Sequence, residues 1–403
     1  MTHPFLVVLR EARLRRLWLA MSCTTMGDEV QRMAIVWLAI GLVGADAALQ
    51  PAAGHAAVLA VGLLGGAFAD LLRPRRLMML LEAARAGIVL VPLAAWAFDA
   101  LTLKLLVGTA VALAALRALF DPAMQTMVPA LAPEPVRLRG LNGLLDVTTR
   151  TARLGGPALA GAIAAVLPAI QILWLPALAS AASAAILSRL AADTAPRPAA
   201  ASAWARAIEG FAVLRRDRVI RMLVLANAIM LAPWSLALGI GLPLLVAARG
   251  QGMAQLALVM GAYGLGDVLG NVIASARVPR RPYLSMFAGY VWLGGGIAAV
   301  ALAPAPWAMA ALALLAAMGG PFFFLQFLAT VQARQHGAAL TAVLRLRLAV
   351  VAAAMMAGAA IGPLPFHAFG AAATVAGCGA IILLVGLWGV AYATRLAARA
   401  PAP

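Results

Sequence analysis

Ionisable side chains inside long apolar stretches are costly, face cavities or partners, and by default carry function. Asp28 and Glu29 interrupt the apolar segment 17–43, and Arg32 follows one helical turn beyond Asp28. About eleven residues into a helix at 1.5 Å per residue, the two acids lie roughly 16 Å deep, near a bilayer midplane. A carboxylate there takes up a proton when desolvation disfavours its charge and releases it when a cation such as Arg32 approaches. The alternative is a permanent Asp28–Arg32 pair that only stiffens the helix. Asp267 is the single acidic residue after Asp217. It has Asn271 one turn away, and Asn227 on the preceding predicted helix is a candidate neighbour. Proton or substrate contact competes there with a hydrogen-bonded structural acid. Arg117 lies deepest among the basic residues and can meet an anionic ligand. Glu82 with Arg85, Arg117 with Asp121, and Asp146 with Arg150 have the spacing of local helical pairs, read as structural or gate-associated. Phe322, Phe323, Phe324 and Gln326 can line an amphiphile cavity or simply pack.

The elements that hold these residues follow from composition. The chain is 64% hydrophobic and 11% charged, where a soluble domain carries about 25% charged residues. Its mean hydropathy is +0.96. So much apolar surface cannot be buried within one water-exposed globule, so lipid must be the solvent for much of it. A crossing helix needs about 20 apolar residues, and the Ala-, Leu- and Gly-rich runs are too long for barrel strands. The spacing predicts an all-α integral membrane protein with helices over 17–43, 52–72, 77–98, 101–121, 141–167, 170–190, 219–247, 252–276, 283–303, 306–332, 341–365 and 370–394. Segment 191–218 separates two sets of six, giving domains 1–190 and 219–403. That linker opens on Pro196 and Pro198. It then places Trp204, Ile208, Phe211 and Leu214 opposite Arg206, Arg215 and Arg216, as in a helix lying on a membrane surface.

The net charge of +17 does not indicate nucleic acid, because the arginines fall in small groups between apolar segments. They follow the positive-inside rule: even-to-odd connections and the terminal segments are arginine-rich, while odd-to-even connections hold only Lys104 and Arg249. Both termini are therefore expected in the cytoplasm. Arg10–Arg16 and Cys23 have some features of a signal peptide, but helix-like sequence continues to Val43, so an uncleaved first membrane helix is expected. Cys23 and Cys378 do not suggest a disulfide, and His55, His336 and His367 are too scattered for a metal site. No nucleotide loop or catalytic triad is present, so an enzyme is not expected.

The halves repeat. Arg73-Pro74-Arg75-Arg76 returns as Val278-Pro279-Arg280-Arg281, and Gly156-Pro157 returns as Gly362-Pro363, both at an offset of about 205. Parallel repeats of this kind bind substrate near the midplane. Gly66-Ala-Phe-Ala-Asp70 with Arg73, Arg75 and Arg76 resembles the helix 2–3 loop motif of the major facilitator superfamily. Gly155-Gly156-Pro157-Ala-Leu-Ala-Gly161 resembles its antiporter motif. Gly27-Asp28 with Ala34-Ile-Val-Trp37-Leu38, Phe120-Asp121-Pro122-Ala123 and Leu141-Asn142-Gly143 is similar to the enterobactin-exporter and macrolide-efflux branch. Leu71 replaces the usual basic residue of the loop motif, Arg73-Pro74 its glycine, and Ser275 stands where a second Asp70 would align.

The resemblance implies two pseudo-symmetric six-helix bundles that alternate access, a gate at Asp70, and a proton-coupled exporter of an amphiphilic small molecule such as a siderophore, macrolide or other drug. It further implies a bacterial cytoplasmic membrane, lipid as surroundings, a proton as coupling ion, no other cofactor, no nucleic acid, and a monomer. A lysophospholipid flippase or importer of the same fold remains an alternative. So does a membrane sensor or scaffold that transports nothing.

Overall fold

The computed structural model describes residues 4–64, 73–190, 211–276, 279–335 and 337–399. Every regular element among them is helical. Named in chain order, they are α1 (Pro4–Arg10), α2 (Ala12–Val43), α3 (Leu49–Leu64), α4 (Pro74–Ala97), α5 (Leu103–Leu131), α6 (Pro135–Ala164) and α7 (Trp174–Ser188). Then follow α8 (Arg218–Leu236), α9 (Leu242–Ala248), α10 (Met253–Ser275), α11 (Pro282–Leu302), α12 (Pro306–Ala317), α13 (Gly320–Arg334), α14 (Gly337–Ile361) and α15 (Pro363–Arg399). A helix stands at each of the twelve expected positions. Ten helical runs among the described residues are long and apolar enough to cross a membrane; one of them, Ala12–Val61, joins two of the expected helices. α6 is not among the ten, because Arg137, Arg139, Asp146, Arg150 and Arg153 make it polar along much of its length.

The chain divides into two compact units, Met1–Leu42 with Ala53–Ala203, and Val43–Ala52 with Trp204–Pro403. The short segment between α2 and α3 thus groups with the second unit, not with the first half as its sequence position suggested. Its Asp46 Oδ1 lies 2.9 Å from His367 Nε2 on α15.

Several expected helices differ in detail, each for a backbone reason. The fourth was expected to stop at Asp121-Pro122, but α5 runs on through Pro122 and Pro129. Prolines are tolerated inside membrane helices because neighbouring groups satisfy the freed carbonyls; here Thr126 Oγ1 donates to Pro122 O at 3.0 Å. The tenth is broken between α12 and α13 at Gly319-Gly320-Pro321. A Cβ at Gly319 would come within 2.5 Å of Gly289 O on α11, so the break sits where two backbones touch. The seventh carries one π turn, Ala237–Gly241, between Pro233 and Pro243; such bulges accommodate an interrupted hydrogen-bond ladder. Gly156-Pro157 lies inside continuous α6, whereas Gly362-Pro363 separates α14 from α15. α15 is itself interrupted at Gly370, whose φ of 76° suits glycine.

In the first unit, Leu17, Met21, Leu77, Met78, Phe120, Met127, Leu141 and Leu144 share one buried apolar cluster drawn from α2, α4, α5 and α6. Arg75 Nη1 donates to the carbonyls of Ser188 and Leu190, and Arg16 Nη1 donates to Arg189 O at 2.9 Å. Two arginines therefore satisfy the free carbonyls at the negative end of α7. Arg75, expected as part of a gate, has this local task within its own unit. Arg73 is the N-cap residue of α4, and Arg76 is exposed. Gly66 and Asp70, the core of the expected gate, lie outside the described residues, as do Trp204, Arg206, Ile208 and His336.

In the second unit, Asp217 caps α8 by accepting from the backbone N–H groups of Val219 (3.0 Å) and Ile220 (3.2 Å), and it pairs with Arg334 Nε at 2.8 Å. Burial works against the Asp217 charge, but the Arg334 hydrogen bond and the cap hold its carboxyl below the ordinary range. A depressed carboxyl contributes stability above its unfolded pKa and loses it as pH falls through the folded value. Asp217→Asn keeps a capping oxygen but removes the charge that pairs with Arg334, so it is expected to lower stability at neutral pH by about 0.5 kcal/mol. The difference from wild type should shrink toward zero as the medium is acidified below the carboxylate range. Thermal denaturation in detergent across pH checks both statements.

Candidate functional site

Five charged side chains of the first unit, Asp28, Glu82, Arg85, Arg117 and Asp121, form one linked cluster around Asp28 and Arg85. This guanidinium lies eleven residues into α4, only 2% exposed. One Nη2 bond reaches Asp28 Oδ1 on α2, and Nη1 donates to Glu82 Oε1 at 2.8 Å. Arg117 on α5 approaches from the other side, donating to Asp28 Oδ2 at 2.6 Å and pairing through Nε with Asp121 Oδ1 at 2.8 Å. Its guanidinium also lies 5.5 Å from the centre of the Phe120 ring. Asp28 is thus bridged by two arginines from two other helices.

The expected Asp28–Arg32 pairing does not occur. Residues four apart on a helix share a face, but their side chains pair only where neither has a better partner elsewhere, and Asp28 has two. Arg32 instead pairs with Glu29, and at 58% exposed it lies outside the cluster. Glu29 packs against the motif on α6: a Cβ at Gly156 would fall 2.6 Å from Glu29 Cβ. Gly155 meets Met26, and Gly27 on α2 meets Ala179 and Pro176 on α7. Pro157 and Gly161 are buried on the same helix. The glycines allow α2 to lie close to its neighbours, which is the small-residue packing expected of membrane helices.

Glu82 is fully buried, with relative exposure of 0%. Its Oε2 is sealed from solvent with no hydrogen bond of ordinary geometry, although the hydroxyls of Ser180 and Thr24 face the carboxyl. Thr24 Oγ1 donates to Ser183 Oγ at 3.0 Å, which ties this polar pocket to α7. The Asp146–Arg150 pair forms at 2.9 Å but stays outside the cluster on α6. Sequence spacing identified the Glu82–Arg85 pair yet gave it a local role. Its burial on α4 beside the acid of α2 was visible only as an arginine set deep in an apolar run.

The corresponding helices of the second unit meet around aromatic side chains. Asn227 on α8, a candidate neighbour of Asp267, holds two partners on other helices. Nδ2 donates to Tyr290 Oη on α11 at 3.1 Å, and Oδ1 accepts from Arg347 Nε on α14 at 2.8 Å. Tyr290 stacks on Phe323 with ring centres 4.1 Å apart, and Phe323 on Phe327 at 5.9 Å. Phe322 stacks on Trp292, Phe324 lies beneath Arg347, and Trp234 Nε1 donates to Tyr263 Oη at 2.7 Å. Asp267 and Asn271 are half-buried on α10. Among the described residues no group of His, Cys, Asp and Glu is placed to hold a metal ion.

A family model described as Major Facilitator Superfamily matches residues 17–347. The chain belongs to that superfamily. It is 28% identical over 379 residues to the multidrug efflux pump Tap of Mycobacterium tuberculosis, covering 90% of this chain and 87% of that protein. The Tap pump of Mycolicibacterium fortuitum is 26% identical over 381 residues, at 90% and 89% coverage. Among solved structures, a point mutant of the nucleoside transporter NupG superposes with a TM-score of 0.74 at 12% identity, covering 96% of this chain and 99% of that one. A bacterial homologue of the iron transporter ferroportin in an inward-facing state gives 0.70 at 16% identity, covering 94% and 98%. These likenesses show the fold. As a member of the superfamily the chain is a multi-pass membrane transporter and not an enzyme. The alternative of a scaffold without transport is set aside on that basis.

Removing Arg85 takes the hydrogen-bond partner from the sealed Glu82 carboxyl and one of two cations from Asp28, which is destabilising, whereas replacing both members of the Glu82–Arg85 pair can be nearly neutral. Arg85→Met is therefore expected to lower the thermal midpoint of purified protein strongly. The Glu82→Leu/Arg85→Met double variant should recover part of the loss, because Arg117 still neutralises Asp28. A double variant no more stable than the single one would show that the pair is not the source of the penalty.

Proposed function

We propose that this transporter is a proton-coupled exporter of an amphiphilic small molecule, such as a siderophore, macrolide or other drug, and that it works by alternating access. One observation carries the reading. At membrane depth the first unit groups three carboxylates, Asp28, Glu82 and Asp121, with two guanidiniums, Arg85 and Arg117. With every group ionised the cluster holds one surplus negative charge, and a single proton makes it neutral. Glu82 is the member with no solvent exposure and an oxygen left over, so it holds the proton; Asp28, bridged by both arginines, stays ionised.

A conformation that opens the cluster to one side of the membrane then binds or releases that proton, and its differential affinity biases the equilibrium between states. Export as the direction, and drugs as substrates, draw support from the Tap relatives, which are named multidrug efflux pumps. The arginine distribution favours both termini in the cytoplasm, in a bacterial cytoplasmic membrane. Glu29, Arg32, Asp267 and Asn271 have no part in this scheme. The Asp70 loop is retained as the cytoplasmic gate on the strength of the motif, and the working unit is a monomer in lipid with the proton as its only coupling ion.

Inside-out vesicles with an imposed acid-inside gradient test the proposal against a panel containing a macrolide, a catecholate siderophore and a cationic dye. The expected outcome is gradient-driven uptake of at least one compound. Uptake should be lost in Glu82→Gln and Asp28→Asn, while gradient-independent exchange persists in Glu82→Gln. Undiminished gradient-driven uptake by both variants would overturn the cluster as the coupling site.

A further inference from the structure

We infer that Arg347, with Asn227 and the Phe324–Phe327 face of α13, forms a binding site for an oxyanion group carried on an apolar or aromatic body. This rests on the transport reading above and specifies the chemistry of the ligand. Arg347 lies ten residues into α14, roughly 15 Å along the helix from Gly337, within the span Ala342–Ile361. No carboxylate among the described residues pairs with it: its contacts are the Asn227 bond and two aromatic rings. An arginine at such depth is normally paired or lines a pathway.

The surroundings are arranged to leave one edge of the guanidinium available. Asn227, 2% exposed, gives its amide hydrogen to Tyr290, and this orientation turns Oδ1 toward Arg347 Nε. The guanidinium carbon lies 5.3 Å from the Phe324 ring centre and 5.0 Å from that of Phe327. Both distances are within cation–π range. Phe324 and Phe327 are three residues apart and share one helix face; Phe327 is buried and Phe324 is 43% exposed. Bonds and stacking thus fix the plane of the guanidinium, while its Nη1 and Nη2 donors make no hydrogen bond to the described residues and are not sealed from solvent. A planar fork of this kind matches a carboxylate, sulfonate or phosphate in bidentate fashion. The neighbouring exposed ring offers contact to the apolar part of the same molecule. Among the described residues, the charged and titratable groups packed around the site are Arg347 itself and Tyr290; Phe324, Phe327 and Asn227 are uncharged.

Two sources share this chemistry: a transported amphiphilic anion and an anionic phospholipid headgroup. The test uses full-length protein in nanodiscs of phosphatidylcholine, titrated calorimetrically with naphthalene-1-sulfonate and with a trimethylammonium analogue of the same ring. The inference predicts saturable sulfonate binding, weakened at least tenfold by Arg347→Gln and less by Arg347→Lys, with no saturable binding of the ammonium analogue. Phe324→Ala, on a half-exposed ring, should weaken sulfonate binding without altering the thermal midpoint. Nanodiscs containing phosphatidylglycerol separate the two sources: reduced sulfonate affinity identifies the lipid as an occupant, and unchanged affinity identifies the soluble amphiphile. Both results support the site. Equal sulfonate affinity in wild type and Arg347→Gln, or equal affinity for the two probes, would overturn it. Gradient-driven dye uptake without sulfonate binding would overturn this inference alone. Arg347-dependent sulfonate binding without gradient-driven uptake of any compound would overturn the coupling reading alone.

Discussion

The buried guanidinium of Arg85 is the constraint on which the first unit depends. A cation with 2% exposure at membrane depth requires nearby negative charge, and it draws one acid from its own helix and one from α2. Arg117 then shares the acid of α2 and brings Asp121 with it. The cluster links α2, α4 and α5 through polar contacts that lipid cannot replace. The glycines of α2 and α6 permit the close packing this demands, because a side chain at Gly156 would displace Glu29. Structure and chemistry coincide here: the arrangement that neutralises the arginines also leaves one carboxylate too many.

The second unit uses the same helices in its half of the repeat differently. α8, α11 and α13 follow in the order of α2, α4 and α5, but where the first unit places charge the second places Asn227, Tyr290, Phe323 and Phe327. Aromatic stacking fills that space without the desolvation cost of buried ions. The charge set among these rings, Arg347, is held by an amide and two aromatic faces. Under the two proposals, labour is therefore divided between the repeats, with titratable chemistry in one and recognition in the other.

The helices were legible because a membrane imposes a length, and each expected apolar run holds a helix. What the sequence did not show was where backbone irregularities fall. Pro122 has the form of a stop, although a membrane helix passes through it, and the break before Pro321 falls where the backbone of Gly319 meets that of Gly289, which is distant in sequence. The site was legible in part for a related reason. Asp28 stands out by its cost in an apolar run, and the local pairs Glu82–Arg85 and Arg117–Asp121 follow from helical spacing. Spacing reports neighbours along one helix, however, and the decisive contacts run between helices. Asp28 has Arg32 one turn away, yet its partners Arg85 and Arg117 stand on two other helices. Arg347 has no acid three or four positions away to mark it, and its partners Asn227, Phe324 and Phe327 stand on other helices.

The account turns on one claim, that the Asp28–Arg85–Glu82 cluster holds a proton on a buried carboxyl. Infrared difference spectroscopy of purified protein reports protonated carboxyl groups directly through their C=O stretch. The account predicts a protonated-carboxyl band at neutral pH that disappears in Glu82→Gln and persists in Asp146→Asn, a change outside the cluster. Absence of that band in the wild type, with the Glu82 carboxylate signal at neutral pH instead, would contradict it.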